Sequence, residues 1–82
     1  MLMKEKDHRR ETEKQYKQTL QADQNDVVTR LDYGNFLSEI GRLKEAEEQY
    51  KLALRINPKH VVTHSNYGLL LEAIGWTKEA EE

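Results

Sequence analysis

Cysteine is absent from this chain of 82 residues. No disulfide framework supports its fold, and no thiol is available for redox or nucleophilic chemistry. Proline occurs once and glycine four times, so few positions interrupt regular structure. No apolar run approaches the length of a membrane-spanning helix. The opening residues, Met1 to Arg10, lack the apolar core of a secretory signal. Neither sign of charge dominates: 13 Lys and Arg stand against 15 Asp and Glu, a formal net charge of -2. That balance argues against a nucleic-acid binder driven by phosphate neutralisation and against a polybasic membrane anchor. The expectation is a soluble, cytoplasmic chain with no nucleic-acid or membrane partner. Hydrophobic residues make up 37%, below the roughly 45–50% of ordinary domains, so this length allows one small domain with a modest core.

What is present is a repeat. Val27 to Glu48 reads VVTRLDYGNFLSEIGRLKEAEE, and 34 residues later Val61 to Glu82 reads VVTHSNYGLLLEAIGWTKEAEE. Thirteen of the 22 aligned positions are identical, without a gap. A fixed period of this length marks stacked units of supersecondary structure. Arrays of that kind act mostly by presenting an extended face to a binding partner. The register extends upstream: Glu13, Gln15, Tyr16, Lys17 and Leu20 recur as Glu47, Gln49, Tyr50, Lys51 and Leu54. The chain thus divides into 1–24, the second helix of a partial unit; 27–60, one complete unit; and 61–82, a first helix followed by the start of the next.

Within each unit the apolar spacing is helical. Val27, Val28, Leu31, Tyr33, Phe36, Leu37 and Ile40 recur mostly at intervals of three and four. Asp26 is placed to cap the start of this helix, and Gly41, free to take positive φ, to close its end. A second helix is expected from Leu43 to Ile56, stopped by Pro58. A third, from Val61 to Ile74, copies the first and should close at Gly75, with a half-buried Trp76 opening a fourth. The N-terminal helix has no large apolar side chain between Lys4 and Gln15. It should dock through Tyr16 and Leu20 and fray towards Met1. Gly34 and Gly68 fall inside helices, where glycine costs roughly 1 kcal/mol relative to alanine. Close packing on the paired helix would account for both, with Ala46 opposite Gly34 and Ala80 opposite Gly68.

A two-helix unit of this period, with these glycines, alanines and proline, resembles the tetratricopeptide repeat. That family's pattern is Trp-x2-Leu-Gly-x2-Tyr, then Ala-x3-Phe, then Pro. Gly34 and Gly68 match its glycine, Ala46 and Ala80 its alanine, and Pro58 its proline, while Tyr50 takes the Phe place. Tyr33 and Tyr67 stand at the Leu place, Leu37 and Leu71 at the Tyr place, and Arg30 and His64 at the Trp place. The likeness covers Thr12 to Glu82. It implies an all-α fold of antiparallel helix-turn-helix repeats stacked as a short right-handed superhelical solenoid. Gly34, Ala46, Tyr50, Ala53, Pro58, Gly68 and Ala80 would be its packing positions.

The resemblance also implies a non-catalytic protein-interaction module whose first helices line a concave groove. Carried over by helical phase, one helix gives that groove Val28, Leu31, Asp32, Asn35, Ser38 and Glu39. The next gives it Val62, Ser65, Asn66, Leu69, Glu72 and Ala73. None of these is lysine or arginine. Leu31 occupies the place of the first lysine in the clamp by which some members of the family hold acidic C-terminal tails. An apolar or weakly basic peptide suits the groove better, with Asn35 and Asn66 bonding to the backbone of an extended ligand.

The remaining motifs are weaker. His60 and His64 lack both a third ligand nearby and the glutamate of the helical zinc motif, so they read as ordinary histidines rather than a metal site. No nucleophile triad, carboxylate pair or phosphate loop stands out, so neither an enzymatic activity nor a cofactor is expected. The two ends suggest an alternative role in self-association. Tyr16 and Leu20 belong to the kind of helix that would cover Tyr67, Leu70, Leu71 and Ile74. Head-to-tail stacking into a homo-oligomer would then complete both ends.

Overall fold

The computed structural model describes the backbone of residues 5–81 and the side chains of residues 5–78; over that span the chain is all-α. Four helices follow one another: α1 (Glu5–Ala22), α2 (Val27–Glu39), α3 (Leu43–Ile56) and α4 (Val61–Glu81). The fraying expected towards Met1 and the contact expected at the Ala80 side chain lie outside the described residues.

The helix ends have local causes. Asp26 adopts extended geometry and its carboxylate accepts the backbone N–H of Thr29 at 3.1 Å, capping α2. At the other end Gly41 takes φ 84, the left-handed conformation that glycine reaches most easily. There the Arg42 N–H donates to the Leu37 carbonyl at 2.9 Å, which closes the helix and turns the chain back. Asn57, before Pro58, is extended and ends α3.

The core is one cluster that includes Leu20, Leu31, Tyr33, Leu37, Ala46, Tyr50 and Leu70. α2 packs on α3, α3 on α4, and α1 on α2, so each helix follows its predecessor in space as in sequence. The chain extends 42 × 31 × 15 Å, and the short dimension fits two layers of helices about 10 Å apart.

Contacts recur at the sequence period. The Tyr33 hydroxyl donates to Glu13 at 2.6 Å, and 34 residues on the Tyr67 hydroxyl donates to Glu47 at 2.8 Å. Tyr16 stacks on Tyr33 at 5.4 Å between ring centroids, and Tyr50 lies against Tyr67 at 6.1 Å. Arg30 donates back to the Gln24 carbonyl, and the His64 Nε2–H donates to the Pro58 carbonyl. The interior pattern of α1 on α2 is therefore repeated by α3 on α4.

Two expectations at the C-terminal end are corrected. No turn forms at Gly75: α4 continues without a break to Glu81. Trp76 is 68% exposed, not half-buried. The first turn is held by Arg42, which follows Gly41 and pairs with both Glu13 and Glu45 at 2.8 and 2.5 Å. Trp76, in the place of Arg42, has no charge to offer Glu47. Continuing the helix keeps the backbone bonded and costs only the glycine penalty of about 1 kcal/mol.

The glycines also separate. Gly34 is buried, and a Cβ there would stand 2.6 Å from the Tyr50 ring, its nearest neighbour. Gly68 is exposed, with nothing within 4 Å of a Cβ. Ala46 and Ala53 are fully buried in α3. Both lie on the face of α3 that also carries Tyr50, at helical spacings of four and three.

Candidate functional site

Asn35 sits at the centre of a polar contact that joins three helices. Its Oδ1 accepts the Tyr50 hydroxyl at 2.5 Å and the Asn66 amide at 2.9 Å. One oxygen therefore ties α2 to α3 and to α4. Asn35 and Asn66 lie 31 residues apart, one helical turn out of exact repeat, so that each reaches the other across the interface between α2 and α4. Around this pair opens a concavity of about 280 Å³, lined by Asn35, Ser38, Glu39, Tyr50, Asn66, Leu69, Leu70 and Ala73. Tyr50 and Leu70 form its buried floor, and Leu69, 64% exposed, forms part of its rim.

The atoms left over are suited to a peptide backbone. Asn35 keeps both amide hydrogens, and Asn66 keeps its oxygen; neither takes part in a hydrogen bond among the described residues. No buried polar side-chain atom there lacks a partner, so these groups face solvent. A fixed donor beside a fixed acceptor is what an extended chain requires along its edge.

The one charged side chain lining this concavity, Glu39, is acidic. Burial raises the phenol pKa of Tyr16, and the charges of Asp32 and Glu39 raise it further. Burial likewise pushes up Tyr50, again with help from Glu39. Asp32, Glu39 and Glu72 are all exposed.

Among the residues expected in the groove, Asn35, Ser38, Glu39, Asn66, Leu69 and Ala73 are brought together in the concavity. Val28, Asp32, Val62, Ser65 and Glu72 are exposed but do not line it. Leu31 is a correction: it is buried in the core, three residues before Gly34 and on the same side of α2. Tyr50 was expected only as packing, yet its hydroxyl sets the position of Asn35. A tyrosine replacing phenylalanine at an interior position is the sequence signal for that role, since a buried hydroxyl needs a partner.

The end residues divide in the same way. Leu20 and Leu70 are buried within the chain and are not free to meet a second copy. Tyr16, Tyr67 and Ile74 are partly buried against the same core. Leu71 remains 47% exposed.

A network that the sequence did not announce lies on the opposite side. Glu13 accepts from Tyr33 and from Arg42, and Arg42 also donates to Glu45. The hydrogen bond from Arg42 holds the Glu13 carboxyl below its ordinary value of 4.5, against the opposing effect of burial. Burial, then the bond to Glu13, pushes the Tyr33 phenol well above its ordinary range. These residues join α1, α2 and the start of α3.

The two histidines are engaged locally: His60 Nδ1 meets the buried Thr63 hydroxyl at 2.7 Å, and His64 bonds Pro58. Among the described residues, no group of three or more His, Cys, Asp or Glu is placed to hold a metal ion, and no helix is long and apolar enough to cross a membrane.

No protein-family model matches the chain, and no curated protein or solved structure shows a significant match to it.

Proposed function

We propose that the chain is a tetratricopeptide-type interaction module, part of a short right-handed superhelical array, and that it binds an extended segment of a partner protein along α2 and α4. The chemistry is recognition, not catalysis. The observation that carries this reading is the bridged pair Asn35 and Asn66, whose free amide hydrogens and free oxygen border a concavity with an apolar floor. The period of 34 residues and the contacts that recur with it support the array.

The ligand follows from the wall. With Asp32, Glu39 and Glu72 exposed and no lysine or arginine lining the concavity, an acidic tail would be repelled. A segment carrying lysine or arginine beside one apolar side chain suits both these carboxylates and the floor. An array of extended peptides graded from basic to acidic tests this. The wild type should retain the basic, apolar-anchored members, and Asn66→Ala should weaken them about tenfold, the loss of one to two backbone hydrogen bonds. Its helix content should stay unchanged by circular dichroism. Retention of acidic peptides instead, or equal binding by the variant, would contradict the proposal.

A further inference from the structure

Gly68 and Gly75 lie on one side of α4, with His64 and Leu71 between and beside them at helical spacing. A Cβ at either glycine would meet nothing within 4 Å. Glycine is a poor choice inside an exposed helix, and no contact among the described residues compensates for it here. The matching side of α2 is covered. There Arg30 donates to Gln49 of α3 at 3.0 Å, Gly34 makes room for the Tyr50 ring, and Leu37 is completely buried. Because α4 runs on past Gly75, no later helix of the described chain folds back over this side.

We propose that the free side of α4 is covered by α1 of a second copy of this chain, docked as α3 docks on α2. α1 carries the residues that this register demands. It repeats, as Gln15 and Tyr16, the Gln49 and Tyr50 by which α3 meets α2. In the docked register Tyr16 of the incoming copy meets Gly68 as Tyr50 meets Gly34, and its Gln15 meets His64 as Gln49 meets Arg30. Tyr16 stacks on Tyr33 and is only half-buried, so part of its ring is available for this contact.

Thr12 and Thr19 stand at the places of Ala46 and Ala53, which α3 buries completely. Their hydroxyls already donate to the carbonyls of His8 and Gln15, each at 3.0 Å, within the same helix. Burying this stripe therefore strands no donor. Both surfaces lie away from the concavity of Asn35 and Asn66, so docking leaves the peptide wall open.

The contact is head-to-tail: α1 of one copy meets α4 of the next. Such an interface does not close on itself by pairing, and copies add in series. Sedimentation equilibrium from micromolar to about 1 mM chain reads this directly. The wild type should rise from 9.7 kDa past twice that mass as concentration increases. Gly68→Leu fills the side of α4, and Thr19→Arg blocks α1; each should stay at the monomer mass with unchanged helix content. Mixed in equal amounts, the two variants should form a dimer and stop, because each retains one working end. A wild type that remains at 9.7 kDa to about 1 mM would overturn the proposal. So would growth that either variant leaves unchanged, or a mixture that stays monomeric.

Discussion

Tyr50 connects the core to the concave wall. Its ring occupies the space that Gly34 leaves open, and its hydroxyl fixes the amide of Asn35. Gly34→Ala would place a Cβ 2.6 Å from a buried ring held at both ends. The expected result is a net loss of about 1–2 kcal/mol, overpacking exceeding the gain in helix propensity. Gly68→Ala should do the opposite in dilute solution and gain about 0.5–1 kcal/mol, since no neighbour opposes it. Urea unfolding of the two variants decides the matter by the sign of each change.

Ionisation gives a second test at this scale. The Glu13 carboxyl is held below its ordinary 4.5 chiefly by Arg42, so the unfolded chain takes up that proton first as pH falls. Its contribution is complete above about pH 4.5 and is lost below it. Glu13→Gln should flatten the decline of melting temperature in acid. Burial, with the bond to Glu47, pushes the Tyr67 phenol up to about 12 from an ordinary 10. That contribution is complete below pH 10 and is lost as pH rises towards 12. Thermal melts should therefore fall on both sides of neutrality. That Gly34 needs a close neighbour is legible from its cost in a helix. Which residue supplies it is not, because Ala46 and Tyr50 lie four apart on the same face of α3 and spacing cannot choose between them.

Among the elements, α2, α3 and the turn between them follow from local signals: Asp26 at one end, Gly41 at the other, and Pro58 beyond α3. The same signals at Gly75 did not produce a turn. The difference lies at a distance, in the pairing of Arg42 with Glu13 across 29 residues, which spacing within one helix does not reveal. If Arg42 holds the first turn, Arg42→Ala should lower stability by about 1 kcal/mol, a fall of about 4–8 °C in melting temperature. The continuity of α4 has its own signature. Backbone chemical shifts should stay helical from Ile74 through Lys78, and the emission of Trp76 should be open to a soluble quencher in the folded chain. A left-handed shift pattern at Gly75, or a shielded indole, would show a hairpin instead.

At the scale of the whole molecule, the repeat announces that the chain is helical and that helices pair in series. The wall was legible in part. Asn35, Asn66, Leu69 and Glu39 were placed by phase, whereas Leu31 was assigned to the surface and is core. Phase on a single helix sorts residues around its axis, but how far the neighbouring helix covers them depends on packing distance. Gly34 leaves room for the Tyr50 ring, and Leu31, three residues before it, is inside. The central claim is that the Asn35–Asn66 pair and the floor beneath it form one binding surface. The most direct measurement is an amide chemical-shift titration with an extended, lysine-bearing peptide that has one apolar side chain. The account predicts saturable shifts centred on Asn35, Ser38, Asn66, Leu69 and Ala73, with the side-chain amides of both asparagines among the largest. Shifts confined to α1 or to the Gly68–Leu71 side of α4, or no saturable shift at all, would contradict it.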